Sequence, residues 1–380
     1  MVKLSLPHPI PITNPTSPFR NFNFMRPIKI VGSDTDLHDY QVRIHLDRSN
    51  FPLEKCKPDG SDIRFRDDSG EILPYWIERW NAAEGVIWCK IPFIPAESSK
   101  FIWMIYGNPN AKSESNGNAV FEMFDVQGIV GFWHMDEPQW TGAIGEVRDE
   151  TGMNHGTAEN GATTTSDAKY GRAGLFDGIN DYVKVPDSDS LDITDAITIE
   201  LWTKIDDAGS DIWPNQYWIS RGTGAYDEAP NNTYLFYIIN GGDDPTGYKD
   251  YIVFSLSDGS SFYSTYVSSE LRMNAFDPNK WYHLVATWDG TTIKIYKNGV
   301  HIVDADRSFS GSINSLSANL NIGRHTDGTR YFDGRIDELR IWERALSPTE
   351  IEILYNNYMQ KMGSYFNVRK YATPAPVVIV

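Results

Sequence analysis

The feature that most constrains this chain is a run of alternating residues broken twice by glycine turns. Trp281–Trp288 alternates, Asp289-Gly290 interrupts it, Thr291–Lys297 alternates again, Asn298-Gly299 interrupts, and Val300–Asp304 follows. Asp-Gly and Asn-Gly supply the positive φ angles that two-residue hairpin turns demand, so an antiparallel meander is predicted. Similar short runs recur. Val42, Ile44 and Leu46 alternate with Gln41, Arg43 and His45, and Ile63 and Phe65 lead into the turn Asp67-Asp68-Ser69-Gly70. Val86–Ile91 and Phe101–Tyr106 read as strands buried on both faces, and Phe176–Pro186 and Ala196–Lys204 as further strands. In Ile336–Trp342 a period of two puts Asp337, Leu339 and Ile341 on one face and Ile336, Glu338, Arg340 and Trp342 on the other.

One helix is marked. Ser347-Pro348-Thr349-Glu350 is a capping box with proline at the first helical position, so a helix is predicted from Pro348 to about Asn357. Many strands with one late helix give an all-β fold of two β-sandwich domains in series. The 380 residues suit two domains. The 12 Trp, 20 Tyr and 18 Phe fit pleated, half-buried surfaces. Residues 1–25 form a Pro-rich extended arm, with Pro7, Pro9, Pro11, Pro15 and Pro18. Residues 26–125 read as the N-terminal β-sandwich domain, 126–360 as the second, and 361–380 as a C-terminal strand and tail.

Lys and Arg total 34 against 51 Asp and Glu, a formal charge of −17. That field repels phosphate backbones, which argues against nucleic acid as a partner, and it is compatible with hard cations. Cys56 and Cys89 allow one disulfide or two reduced buried thiols. No apolar run approaches the roughly 20 residues of a membrane span. The Pro-interrupted N-terminus does not read as a secretory signal. The expected location is extracellular, on a cell surface or on a virion surface. The alternating segment Tyr365–Tyr371 could add a strand to the first domain. The apolar tail Pro374–Val380 reads either as a linker or as a strand exchanged with a neighbouring subunit, so self-association through the two tails is a possible partner mode.

The second domain resembles a LamG-like, concanavalin A-like jelly roll. Gly128–Glu137 is similar to its opening strand. Asp149–Thr157, Tyr170–Val183 with its Phe176-Asp177-Gly178, Thr198–Trp202, Trp281–Gly290, Tyr296–Gly299 and Gly334–Ser347 follow in the family's order. The first domain resembles an uncharacterised β domain common before LamG-like domains in archaeal and bacterial surface proteins. Arg26-Pro27-Ile28, Ser61–Phe65, Tyr75–Glu78 and Ile105–Asn108 carry that likeness.

The resemblance implies a structural calcium. Asp337 would be its side-chain ligand, with backbone carbonyls near His134–Asp136 and from the Asp177-Gly178 turn; Asp181 and Asp149 are lesser candidates. Glucanases on this fold carry an E-x-D-x-x-E run that is missing here, and Glu200 stands alone, so glycoside hydrolysis is disfavoured. The segment Asp206–Asn232 reads as a long loop bearing Trp213, Tyr217, Trp218 and Tyr226, and Gly241–Asp250 adds Tyr248. Exposed aromatics among polar residues suit a glycan or protein ligand; the competing reading folds the tryptophans inward. The expected function is non-catalytic binding or adhesion to a glycan or surface protein, with a virion, tail-fibre or filament subunit as the alternative.

Overall fold

The structure is a computed structural model that describes residues 10–11, 18–123, 126–206, 216–223, 229–239, 251–266, 268–272, 276–277, 280–362, 365–370 and 377–379. The chain forms two compact units, Val126–Tyr355 and a unit joining Met1–Asp125 to Asn356–Val380.

In the first unit, Leu37–Asp47 pairs with Glu84–Ile94, which pairs with Tyr75–Trp80. A second sheet sets Phe24–Val31 beside Ser99–Tyr106, and that strand beside Arg64–Asp67. Val42, Ile44, Phe65, Ile87, Ile102 and Met104 fill the core between them. Two-faced burial holds for Val86–Cys89, whose far side meets Val120 and Phe121. It fails for Ser99–Tyr106, where Phe101 is exposed: that strand buries one face only.

The C-terminal segment corrects an expectation. Val377–Ile379 pairs antiparallel with Lys29, Ile30 and Val31, and Ile10–Pro11 pairs with Phe24 and Met25. Both tails have strand partners in their own chain, so the C-terminal end is not the plain linker that its sequence also allowed. Tyr365–Lys370 pairs with Asn357–Met362 and with Glu122–Met123, also in this unit. Cys56 and Cys89 are free thiols, and burial pushes both well above the ordinary thiol range.

The second unit packs a seven-stranded sheet on a nine-stranded one. The predicted meander is present: Tyr282–Trp288, Thr292–Lys297 and Val300–His301 pair in order. Asn298 and Gly299 have φ of 52° and 78°, the paired positive values that a tight hairpin turn uses. The helix spans Pro348–Asn356. Ser347 Oγ accepts from the Glu350 amide at 3.3 Å, and the Glu350 carboxylate accepts from the Ser347 amide at 2.7 Å. Its buried Ile351 and Leu354, with Tyr355 stacked on Trp202, hold it against the outer face of the nine-stranded sheet.

Two sequence expectations change here. The strand Asp333–Trp342 is not regularly alternating. Arg340 lies opposite Glu200 but Asp337 lies opposite Trp202, one residue out of step, and Glu338 has a φ of 52°. This bulge resets the phase. Ile336, Leu339 and Ile341 all face the core between the sheets, while Asp337 leaves the face it was assigned to share with Leu339. The second change concerns Asp206–Asn232. Gln216–Gly222 is a strand, not loop, and its register shifts between Tyr217 and Ile219. Trp218 enters the inter-sheet core and donates to Thr203 Oγ1 at 3.0 Å; it is no exposed binding aromatic.

Candidate functional site

The strands of the seven-stranded sheet place one set of side chains in the core and the other on the sheet's outer face. Trp218, Tyr234, Phe236, Ile252 and Phe254 go inward. Tyr217, Leu235, Tyr237, Tyr251 and Val253 form a separate outer cluster. Within it Tyr217 and Tyr237 stack with centroids 4.6 Å apart and an interplanar angle of 13°. The Tyr237 hydroxyl lies 3.2 Å from Ser255 Oγ, which lies 2.7 Å from Ser264 Oγ. Arg330 donates to the Tyr217 hydroxyl at 3.4 Å, and the His325 ring sits 4.6 Å from Tyr217. Tyr217 itself is fully covered, and Tyr237 keeps a small exposure. The face is aromatic, aliphatic and hydroxyl-bearing. Across the seven strands the one carboxylate is Glu159, on the edge strand Thr157–Glu159. Trp213, Tyr226 and Tyr248 lie outside the described residues.

The nine-stranded sheet's outer face is different, and sequence spacing did not reveal it. Glu200 and Arg340 are cross-strand neighbours, and Arg340 donates to Glu200 Oε1 at 2.8 Å. His283 Nε2 lies 2.9 Å from the same oxygen. Arg340 also pairs with Glu338, which meets His134. Glu200, Glu338 and His283 are fully buried. Burial pushes the Glu200 carboxyl up, but Arg340 and His283 more than offset this and hold it below the ordinary value. Glu200 is thus an ion-pair residue at the centre of a network. His134 and His283, which no sequence motif marks, complete it. The members come from three strands and from the residue that follows Ile129–Trp133, far apart in the chain, so no local spacing marks them.

The predicted metal-ligating aspartates separate into three places. Asp337 Oδ2 accepts from the amides of Lys169 and Tyr170, both at 2.9 Å, while its Oδ1 is buried without a partner. Burial and the neighbouring Glu338 hold its carboxyl well above the ordinary range, and desolvation also raises Asp136 nearby. Asp177 stands opposite Asp333, further along the sheet, and its Oδ1 accepts from the amides of Ile179, Asn180 and Asp181. Asp181 is pushed up to about 6 by burial and by Asp177, and its Oδ1 has no partner. Asp149 accepts from the amides of Phe132, Thr151, Met153 and Asn154, and so serves as a loop organiser.

Comparison with known families fits this architecture. Residues 177–352 match the concanavalin A-like lectin/glucanases superfamily, and residues 59–140 match a domain of unknown function, DUF2341. The second unit carries a concanavalin A-like domain. Among solved structures, domain 4 of AbnA, a GH43 extracellular arabinanase from Geobacillus stearothermophilus in complex with arabinotriose, is 19% identical. It covers 60% of this chain and 98% of that one, with a TM-score of 0.44. The binding domain of Paraclostridial Mosquitocidal Protein 1 is 16% identical over 60% of this chain and 52% of that one, at a TM-score of 0.41. The human adhesion G-protein coupled receptor D1 is 36% identical over 78 residues, 20% of this chain and 9% of that receptor. The chain thus matches a small part of that relative.

Of the implied calcium ligands in the concanavalin A-like domain, Asp337 and Asp181 each keep a buried carboxylate oxygen without a partner, and Asp337 has a second carboxylate beside it. Its unpartnered buried oxygen is the kind of donor a hard cation takes, and Asp136 is close enough to add charge. Asp177 and Asp149 spend their lone pairs on backbone amides. Among the described residues no three His, Cys, Asp or Glu side chains stand together as a metal cluster, so backbone carbonyls would have to complete the shell. No helix among the described residues is long and apolar enough to cross a membrane.

Proposed function

We propose that this chain is a non-catalytic binding protein of an extracellular, cell or particle surface. Its concanavalin A-like domain docks carbohydrate or protein at the outer face of the seven-stranded sheet. The observation that carries this reading is the composition of that face. Tyr217, Tyr237 and Tyr251 sit with Ser255 and Ser264 as a covered aromatic layer that supports this face, and no carboxylate occurs on the strands that hold them. Aromatic rings with hydroxyls suit sugar rings and protein surfaces. Glycoside hydrolysis needs two carboxylates flanking one bond. The buried Glu200 and Glu338 are committed to Arg340 on the other sheet. Trp213, Tyr226 and Tyr248, outside the described residues, stay candidates for the same role on their sequence alone. A structural calcium at Asp337, assisted by carbonyls near His134–Asp136, belongs to the same proposal.

A glycan array tests the reading. The chain should retain a defined glycan set, and Trp213→Ala or Tyr226→Ala should remove it without lowering the unfolding temperature by more than a few degrees, while Tyr237→Phe, which keeps the ring stacked on Tyr217, should weaken it. Unchanged retention in all three variants would refute this face as the site.

A further inference from the structure

The first unit is completed by the far end of the chain. Ile28 and Ile30 on Phe24–Val31 are fully buried in its core, and one edge of that strand pairs with Ser99–Tyr106. The other edge is closed in two pieces. Ile10–Pro11 pairs with Met25 and Phe24, and Val377–Ile379 pairs with Val31, Ile30 and Lys29. Among the described residues nothing on that edge pairs with Arg26, Pro27 or Ile28, and a proline has no amide to offer. The seat beyond Pro27 is therefore a short slot made by Lys29, Ile30 and Val31.

The slot fits the strand it holds. Val378 lies opposite the buried Ile30 and packs against the first-unit core, so the strand supplies a core side chain as well as backbone pairing. Val377, Val378 and Ile379 are all β-branched, the residue type that suits a pleated, half-buried surface. Charge and proline are the common protections of an edge strand, and neither occurs within these three residues; Pro374 and Pro376 stop just short of them.

Donor and acceptor are far apart in the chain. Lys29 and Ile379 are separated by 350 residues, and the whole of Val126–Tyr355, a compact unit with its own core, lies between them in sequence. Synthesis at about 5–20 residues per second leaves the slot open for roughly 20–70 s before its own strand emerges. During that time the finished strand of a neighbouring copy, identical in sequence, meets no competitor. Exchange of an identical element keeps every contact of the closed chain, which makes it a low-cost route to a dimer. Little has to be given up to allow it, since the strand is held by three residue pairs and one packed side chain.

We propose that Val377–Ile379 is exchanged between two copies of this chain, each strand seated on Lys29–Val31 of the other. The proposal concerns the first unit alone and stands apart from the docking face of the second.

Mixed single-cysteine chains test it. Lys29→Cys and Ile379→Cys place thiols at directly opposed strand positions, within disulfide reach. The two variants are unfolded, mixed, refolded together at tens of micromolar and oxidised. Non-reducing electrophoresis should show an interchain product containing both variants, at least tenfold above a mixture of Ile379→Cys with the parent chain, where Cys56 and Cys89 are the other thiols. Light scattering on the refolded parent should give twice the chain mass, and Val378→Asp, which puts a charge against the core, should give the chain mass. A heterodimer no more abundant than in the control mixture would overturn the proposal. So would a parent that refolds only as a monomer, or a dimer that Val378→Asp leaves intact.

Discussion

Replacing Arg340 by methionine should expose how the nine-stranded sheet tolerates its charged outer layer. Arg340 is 2% exposed, bonds Glu200 at 2.8 Å, pairs with Glu338, and lies 4.2 Å from the Phe132 ring centroid. Methionine keeps most of the packing but leaves two buried carboxylates without their shared cation. Breaking a buried pair by removing one partner costs about 3–5 kcal/mol. Glu200 keeps His283 and Glu338 keeps His134, so two broken pairs should not double the cost. For a unit of this size each kcal/mol moves the midpoint by about 2–4 °C, which gives a fall of roughly 6–20 °C at pH 7. The pH dependence fixes the sign. In the parent protein the Glu200 carboxyl lies below its ordinary value, so its contribution is present at neutral pH and is lost as pH falls through that lowered value. Without Arg340, burial dominates and raises the carboxyl; the penalty is then greatest at neutral pH and shrinks as the group takes up a proton. Scanning calorimetry at pH 7 and pH 5 should therefore show the variant's deficit narrowing on acidification. Adding Glu200→Gln and Glu338→Gln should recover most of the loss. A deficit under about 1 kcal/mol, or one that widens at pH 5, would refute the reasoning.

Trp218→Ala should destabilise the second unit by about 3–5 kcal/mol in urea unfolding, because it empties a fully buried site, whereas glycan retention by the folded fraction should persist. Ser347→Ala should cost about 1 kcal/mol by removing the helix cap, read as a small fall in the thermal midpoint. Millimolar calcium should raise the midpoint of the parent protein by several degrees and leave Asp337→Asn unmoved; equal responses in both would remove Asp337 from the proposed site. Gly85→Ala should destabilise the first unit by about 1–3 kcal/mol through its clash with Trp80, measured by the same unfolding assay.

Much of the fold was legible because its signals are local. Asn298-Gly299 carries its turn geometry in two residues of positive φ, Asp289-Gly290 marks a longer turn in which Gly290 takes the positive φ, and Ser347 and Glu350 carry their reciprocal cap in four. The misreadings come from broken periods. The bulge at Glu338 shifts Asp337 off the face that strict alternation assigns, and the irregularity after Tyr217 hides a strand inside an apparent loop. Ordinary alternation sends Tyr217 and Trp218 to opposite faces, and the irregularity then keeps Ile219 in the core with Trp218. The Glu200 network was illegible for a further reason. Its residues, His134, Glu200, His283, Glu338 and Arg340, meet only through strand order, and a lone glutamate in a strand shows nothing of its distant arginine. The seat of the Trp80 ring was illegible because it is made by the missing Cβ of Gly60 and Gly85, which only the packed structure reveals.

The most direct test of binding without bond-breaking is mass spectrometry of glycans that the chain retains, after prolonged incubation with stoichiometric protein. Retained glycans should be recovered at their starting masses, and Trp213→Ala should lower the amount retained. Accumulation of shorter saccharides that depends on the protein would contradict it.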